Sequence, residues 1–195
     1  AKNGERILSF LKNMKESDSV VRRYAFIDAA VLFAKNNEVL LEQLLIIYEP
    51  MRKLIDLPYD LDELTKLYAQ AAAAMSFGIV IKNDPDGQIS KMIGHILNER
   101  GFTIAGSGSG ALRISGEVLI EDTQMNNRYE NVRWTLLLEM RDDYGQVLVS
   151  FHKNQRESAV SRSEAVARSY REMEKVIKDS FIGQFTRYLD GIILK

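Results

Sequence analysis

Residues 112–151 read LRISGEVLIEDTQMNNRYENVRWTLLLEMRDDYGQVLVSF, and this stretch decides the fold. Its apolar side chains recur at every second position, which is the period of a β-strand with one buried face. The alternating positions are Leu112, Ile114, Val118 and Ile120, then Val132, Trp134, Leu136, Leu138 and Met140, then Val147, Val149 and Phe151. Turn-forming residues separate the three runs at 125–128 and 142–145. The stretch therefore predicts a three-stranded antiparallel meander.

A strand–helix–strand unit precedes the meander. Residues 76–81 alternate as a strand does, and residues 83–87 (NDPDG) are strong turn formers. The next helix ends at Gly101, a residue suited to a left-handed cap. Its apolar face consists of Ile89, Met92, Ile93, Ile96 and Leu97. A short strand over 102–104 is predicted parallel to the first, because a helical crossover joins them.

The glycine-serine run at 106–110 is predicted to be a plain flexible connection. A phosphate-binding P-loop needs a lysine and a serine or threonine that enter a helix, whereas residues 111–113 enter a strand. The glycines do not open a helix, so they also lack the dinucleotide-binding arrangement.

Residues 1–74 show helical periodicity. A short helix is predicted over 5–15, and a stronger one begins after the capping residues 17–19. The pair Asn36-Asn37 is expected to break or re-cap this helix, and a further apolar face over 40–48 ends by Pro50. Asp60 and Glu63 have capping-box spacing and open another stripe. Three antiparallel helices follow from this pattern.

A long C-terminal helix begins at a second capping box, formed by Ser161 and Glu164. Its apolar stripe advances in steps of three and four and comprises Val166, Tyr170, Met173, Ile177, Phe181, Phe185, Tyr188 and Ile192. A kink is expected at Gly183. We expect the stripe to pack on the apolar face of the meander, which is led by Trp134 and Leu136.

Together these elements predict an α+β fold with two parts. Residues 1–74 form a helical segment. Residues 75–195 form an α/β sandwich-like domain, whose mixed sheet combines the β-α-β unit with the three-stranded antiparallel meander. Helices cover this sheet, the long C-terminal helix among them.

The composition is that of an ordinary globular protein. Among 195 residues, 26 are Lys or Arg and 27 are Asp or Glu, so the formal net charge is -1. A duplex-DNA binder normally carries a basic excess, and nucleic acid is therefore disfavoured as a partner. The absence of cysteine excludes disulfides, thiolate zinc sites and a cysteine nucleophile. No transmembrane segment is predicted, because no run approaches the roughly 18 apolar residues of a span.

No residue is predicted to be catalytic, cofactor-binding or metal-binding, and we expect neither an enzyme nor a cofactor. His95 and His152 are expected to be surface or strand-end residues without an acidic neighbour in sequence. The turn at Asp84 lacks two carboxylates that a calcium loop needs, so it is expected to cap the following helix. Carboxylates at strand ends are expected to be solvated, with no spacing that singles out an acid–base pair: Glu121, Asp122, Glu130, Asp142 and Asp143.

A basic surplus lies between residues 153 and 171. The cations are Lys153, Arg156, Arg162, Arg168 and Arg171, against the anions Glu157 and Glu164. Such a surplus allows contact with an acidic lipid, glycan or protein surface. The simpler interpretation, which we favour, is a solvated helix face with local ion pairs.

The C-terminal half resembles a family of bacterial envelope proteins. The residues that carry the resemblance are 131–142 (NVRWTLLLEMRD), Gly145, 147–151 (VLVSF), 156–158 (RES) and 161–165 (SRSEA), followed by the helix to residue 189. The pattern is similar to that of the Lpp-twenty family of outer-membrane lipoproteins, over roughly residues 76–195. The resemblance implies a lipid-anchored, periplasm-facing protein without catalytic activity.

The predicted function is a non-catalytic bacterial cell-envelope lipoprotein module that acts as a scaffold or interaction domain. Its contacts would involve a sheet edge, the basic helix face or the N-terminal helices. The partner would be another envelope protein, or the membrane surface through a lipid anchor. The implied location is the periplasm, anchored at the outer membrane through a lipidated cysteine upstream of residue 1. The alternative is a cytosolic adaptor with a helical partner-binding segment.

Overall fold

The computed structural model describes residues 2–50, 57–106, 108–124 and 128–194, which divide into two compact units. The first unit holds the residues up to Met75 together with those from Leu189 onward. The second unit spans Ser76–Tyr188. The predicted turn at 125–128 falls almost entirely outside the described residues. The α+β class is confirmed, because helices dominate the first unit and a mixed sheet the second.

The first unit contains the helices α1 (Lys2–Glu16), α2 (Val20–Ile47) and α3 (Leu61–Ala74). α2 packs against both of the others. Their shared core contains the buried side chains Ile7, Met14, Ile27, Ala30, Val31, Ala34 and Leu64. The predicted helical character of this part of the chain is thereby confirmed.

Side-chain caps set the starts of two of these helices. The Ser19 Oγ accepts a hydrogen bond of 3.4 Å from the Arg22 amide at the start of α2. The Asp60 carboxylate accepts from the amides of Asp62 and Glu63, at 2.8 and 3.2 Å. Each cap satisfies amides that the helix itself leaves free, as the spacing in the sequence predicts.

α2 is one continuous helix, so the prediction that Asn36-Asn37 breaks it is wrong. An asparagine inside a helix costs less than about 1 kcal/mol relative to alanine. The Asn37 Nδ2 also donates a hydrogen bond of 2.7 Å to the Tyr59 hydroxyl, just before α3. Because the preceding turns are anchored in the core through Val31 and Ala34, this small local cost does not end the helix.

The second unit is centred on a mixed sheet whose five described strands have the order β2-β1-β3-β4-β5. They are β1 (Ser76–Lys82), β2 (Thr103–Ile104), β3 (Leu112–Asp122), β4 (Glu130–Asp142) and β5 (Val147–Ala159). β1 pairs in parallel with β2 and with β3, whereas β3, β4 and β5 form the antiparallel meander. Both pairings that the sequence predicts are therefore confirmed.

β5 is longer than its apolar alternation indicates. His152 was expected to mark the end of this strand, which is wrong, because pairing with β4 continues to Ala159. Gln155 still lies opposite Trp134, and Glu157 opposite Val132. Backbone hydrogen bonds to β4 hold this polar segment in the sheet, although its side chains show no period-two hydrophobic signal.

Helices cover one face of this sheet: α4 (Gln88–Glu99), α5 (Arg162–Val176) and α6 (Ile182–Ile193). α4 packs against β1 and β2, and α5 packs against β4 and β5. Trp134 and Leu136 are fully buried, and the ring of Phe151 lies 6.2 Å from that of Phe181. The prediction that the C-terminal stripe packs on the meander is confirmed.

A π-helical turn at Ile177–Phe181 interrupts the C-terminal helix between α5 and α6. The stripe takes successive four-residue steps from Met173 to Phe185, and each such step drifts about 40° around an α-helix. The wider π-turn restores the direction, so that this run of side chains stays buried. The irregularity thus lies at Ile177–Phe181, ahead of Gly183, where the sequence analysis expected a kink. The next buried residue after Phe185 is Leu189, four residues on, whereas Tyr188, which the sequence placed in the stripe, is half-buried.

The glycine-serine run is a close crossing, so the prediction of a plain flexible connection is wrong. β2 and β3 flank β1 on opposite sides, and the connection between them must cross one face of β1. It crosses at Gly78, where an added Cβ would lie 2.1 Å from the Ser109 carbonyl oxygen. Gly110, with a φ of +122°, also lies close to β1, since a Cβ there would be 2.9 Å from the Gly78 amide nitrogen. The Ala111 amide then donates to the Ser76 Oγ at 3.1 Å, which fixes the start of β3.

Candidate interaction surfaces

The two histidines lie apart on the surface of the second unit. The His95 Nε2 is 3.3 Å from the Glu99 carboxylate, so the expectation of no acidic neighbour in sequence is wrong. The four-residue spacing on one helix makes this pair readable from the sequence. His152 lies on the sheet face that no helix covers. Among the residues that the structure describes, no group of three or more His, Asp or Glu side chains is placed to hold a metal ion.

The strand-end carboxylates make local structural contacts. Asp142 is buried, contrary to the expectation of a solvated side chain. Its Oδ1 accepts hydrogen bonds from the Tyr144 and Gln146 amides at 3.1 and 2.8 Å, which fixes the turn between β4 and β5. Asp122 accepts a hydrogen bond of 2.7 Å from the Arg162 Nε.

Asp84 caps α4, as the turn sequence predicts. Its carboxylate accepts from the Ile89 amide at 2.9 Å, and from both the amide and the hydroxyl of Ser90 at 2.9 and 2.8 Å. Burial raises the pKa of the nearby Tyr170 hydroxyl, and the charges of Asp84 and Asp86 raise this pKa further. The turn is thus a helix cap that faces α5.

The basic surplus between residues 153 and 171 is not a single helix face, so that part of the interpretation is wrong. Lys153 and Arg156 lie on β5, and the remaining cations lie on α5. Arg168 pairs with Glu164 at 2.6 Å, and Arg162 pairs with Asp122 at the end of β3. Local ion pairs are confirmed, and exposed pairs of this kind reduce the positive potential available to an anionic partner.

The sheet face away from the helices is open to solvent beyond the crossing at Gly78. Two adjacent cross-strand rows line its centre: Val80, Ser115, Glu139 and Ser150, then Lys82, Glu117, Leu137 and His152. Within this face the Arg141 Nε donates to the Glu139 carboxylate at 2.6 Å. The rows form a shallow depression with hydroxyl, carboxylate and imidazole groups. A shallow polar surface suits a broad partner better than a small molecule, which binds in deeper pockets.

The sheet ends on one side with β5, whose outer edge has no strand beside it in the described order. A long edge strand is a template for strand addition by another chain. On β5, however, every residue from His152 to Arg156 is exposed. Lys153 lies opposite Leu136, on the face of the sheet against which the helices pack. Charged side chains on an edge, particularly inward-pointing ones, disfavour such pairing. This edge is therefore the weaker candidate for a binding surface.

The distal half of α2, defined here as residues 38–47, exposes several apolar side chains of the first unit. Val39 and Leu40 are more than half exposed, while Ile46 and Ile47 are 85% and 82% exposed. α1 and α3 pack on the earlier turns of α2, through core residues that end at Ala34. The distal half therefore presents apolar side chains on most of its circumference. No described helix is long and apolar enough to cross a membrane.

One carboxylate on α2 has an altered electrostatic environment. The pKa of Asp28 is raised, first by burial and then by the negative charge of Asp190, while Lys35 opposes the shift. Asp28 belongs to no group of three or more His, Asp or Glu side chains that could hold a metal ion in the described part of the chain.

The exposure of the distal half of α2 was not predicted from the sequence. Its residues were predicted as one face of a separate packed helix that includes Leu40 and Leu44. A usable signal was nevertheless present, because Val39 and Ile46 lie off that face. A helix that is apolar around its whole circumference must be covered by something.

No protein-family model and no curated protein matches the chain. Some solved structures resemble it, among them a minor lipoprotein from Acinetobacter baumannii, with 11% identity and a TM-score of 0.39 over 62% of this chain and 94% of that one. Rare lipoprotein B from Shewanella oneidensis has 13% identity and a TM-score of 0.34 over 61% and 91%. A lipoprotein from Neisseria meningitidis has 12% identity and a TM-score of 0.38 over 54% and 99%. All three are named lipoproteins, but similarity at this level carries no argument about the function of this chain.

Proposed function

We propose that this chain is a non-catalytic interaction module of the bacterial cell envelope, which binds a protein partner through the distal half of α2. The observation that carries the proposal is the exposed apolar surface formed by Val39, Leu40, Ile46 and Ile47. Contiguous exposed apolar surface on a folded protein marks a protein or membrane interaction site. Covering these side chains would remove apolar area from water, which is the main favourable term in association.

The envelope location rests on the resemblance of residues 131–165 to outer-membrane lipoproteins. In this proposal an upstream lipidated cysteine anchors the protein, and both units face the periplasm. A single acyl chain gives only marginal membrane attachment, so a stable anchor requires more than one chain. The folded units would then act as a scaffold held close to the membrane.

The location is tested by expressing the complete gene in a bacterial host and labelling the cells with radioactive palmitate. We expect label in the protein, recovery with the outer-membrane fraction, and digestion by protease once the outer membrane is opened. Replacing the upstream cysteine with serine should abolish the labelling. Recovery in the cytosol with an unmodified N-terminus would contradict the envelope location and favour the cytosolic adaptor.

The binding surface is tested separately with a photo-reactive amino acid. Placed at Ile46, it should give a discrete cross-linked product in living cells, because that side chain is 85% exposed on the distal half of α2. Val160 in the second unit is 79% exposed and apolar, so it serves as the matched control and should give none. Equal products from both positions would mean that the distal half of α2 has no special role.

A further inference from the structure

One exposed face of α2 has the spacing of a coiled-coil seam. Leu32, Val39 and Ile46 recur every seven residues and are 59%, 53% and 85% exposed. Asn36 and Gln43 lie between them, so the positions advance alternately by four and three. This is the pattern that two packed helices share along their line of contact. Among the described residues, no other segment covers this seam over residues 32–47, which extend for about 24 Å at 1.5 Å per residue.

The residues beside the seam have an unequal distribution. Leu40 and Ile47 widen the apolar face on one side, and both are exposed. Lys35 and Glu42, which carry opposite charges, lie seven residues apart on the other side. Both charged side chains are exposed. The centre of the face thus alternates the apolar residues Leu32, Val39 and Ile46 with the amides Asn36 and Gln43, and one cation and one anion lie along a single margin.

We propose that a second copy of this chain docks on this face, with the two α2 helices antiparallel about a two-fold axis beside Val39. In that arrangement Leu32 of one copy packs next to Ile46 of the second copy. Lys35 comes within reach of Glu42 of the second copy, and the symmetry makes this contact twice. A two-fold interface must be complementary to itself, and the charge order along this margin meets that requirement.

A parallel pair would not satisfy the same charges. In a parallel coiled coil, the residues on one side of the seam face those on the opposite side of the seam of the other helix. A parallel pair would therefore place Lys35 across from Leu40 of the other helix, and Glu42 across from Ile47. Neither charge would then find a partner of opposite sign. Complementary charges specify orientation in helix pairs, so the margin favours the antiparallel arrangement.

The charge of this segment also favours a second copy over a lipid surface. Helices that lie on membranes carry Lys or Arg on their polar face, which attracts anionic lipids. The distal half of α2 instead carries Glu38 and Glu42 and no cation. The helix is already formed within the folded unit, so dimerisation needs little further ordering of the backbone. This inference rests on the proposed function, because it names the partner of the same surface.

Charge reversal tests the pairing on the chain 1–195 by sedimentation equilibrium. We expect a dimer for the unmodified chain, with Lys35→Glu or Glu42→Lys alone raising its dissociation constant about tenfold or more. Combining the two substitutions should restore the dimer to within about threefold, because the ion pairs re-form with exchanged signs. Glu38→Lys changes charge outside the seam and is the matched control, expected to leave the constant unchanged. A monomer at about 100 µM, or a double variant as weak as the singles, would overturn the proposal.

Cysteine cross-linking tests the orientation, and residues 1–195 contain no cysteine that could interfere. A disulfide needs Cα atoms within about 7 Å of each other. Val39→Cys beside the axis should therefore cross-link to itself. Leu32→Cys and Ile46→Cys should each fail to cross-link alone, and should cross-link to each other when the two variant chains are mixed. Self-linking by Leu32→Cys alone would indicate a parallel pair and overturn the proposal.

A vesicle assay tests whether the exposed face of α2 binds a lipid surface instead of a second copy of the chain. Flotation with phosphatidylethanolamine–phosphatidylglycerol vesicles should not recover the chain. Flotation that Val39→Asp abolishes, in a chain that is monomeric in solution, would overturn the dimer in favour of a lipid surface. A monomer that still cross-links through Ile46 to another envelope protein in cells would overturn only the second copy and leave the proposed function standing.

Discussion

Replacing Gly78 with alanine tests the closest backbone contact of the sheet. The new Cβ would lie 2.1 Å from the carbonyl oxygen of Ser109, whereas ordinary contacts begin near 3.4 Å. Both sides of this contact are backbone, so no side-chain rotation can relieve it. The connection must move away from β1 by more than about 1 Å, and overpacking of this kind costs about 1–3 kcal/mol. The shift also strains the hydrogen bond between Ala111 and Ser76, which contributes about 1 kcal/mol.

We therefore expect Gly78→Ala to lower the free energy of unfolding of the second unit by about 2–4 kcal/mol, which corresponds to a fall in Tm of roughly 5–15 °C. Trp134 is the single tryptophan and is fully buried in this unit, so its fluorescence reports the relevant transition. Gly183→Ala is the matched control, because no atom lies within 4 Å of its added Cβ. It should stabilise the helix by about 0.5–1 kcal/mol. Wild-type melting of Gly78→Ala would refute the close crossing.

Three further predictions concern burial, charge and ligands. Ile177→Asp should cost several kcal/mol, because the residue is fully buried beside the sheet and the new charge has no partner; an unchanged melting curve would contradict the packing of the C-terminal helix. Asp28→Asn should raise the Tm at pH 7: a raised pKa in the folded state means that stability falls as pH rises through that pKa. Near about pH 3 the carboxyl is protonated whether folded or unfolded, so the gain should vanish, and an equal gain at both pH values would argue against a charge effect. Zinc, calcium, magnesium-ATP and NAD should each shift the Tm little; one large saturable shift, such as the ~2.7 kcal/mol of a ligand at a hundred times its Kd, would show a binding site that we do not expect.

Local sequence signals were sufficient where one residue type acts on its immediate neighbours. Ser19, Asp60 and Asp84 cap helices because their side chains reach amides a few residues ahead, a relation that spacing alone expresses. The meander followed from period-two alternation, because a strand with one buried face must alternate. These elements were predictable because their causes lie within a few residues of one another.

The candidate interaction surfaces were only partly predictable. The sequence identified the N-terminal helices as one possible contact region, but not which residues are exposed. Exposure of Val39 and Ile46 depends on where the shorter helices α1 and α3 stop covering α2, which is a property of three segments together. The basic surplus was visible in sequence, yet its division between β5 and α5 depends on how far β4 extends the pairing of β5.

The sequence by itself determined the type and order of the main elements, through hydrophobic period and capping chemistry. Tertiary structure alone decided the crossing at Gly78, the π-turn at Ile177–Phe181 and the uninterrupted course of α2. Each of these depends on atoms that are distant in sequence: the Ser109 carbonyl beneath β1, the sheet beneath Phe181, and the core that anchors α2 before Asn36. At Gly78 the contact carries about 1–3 kcal/mol, which exceeds the fractions of a kcal/mol by which local propensities differ, so the distant contact prevails there.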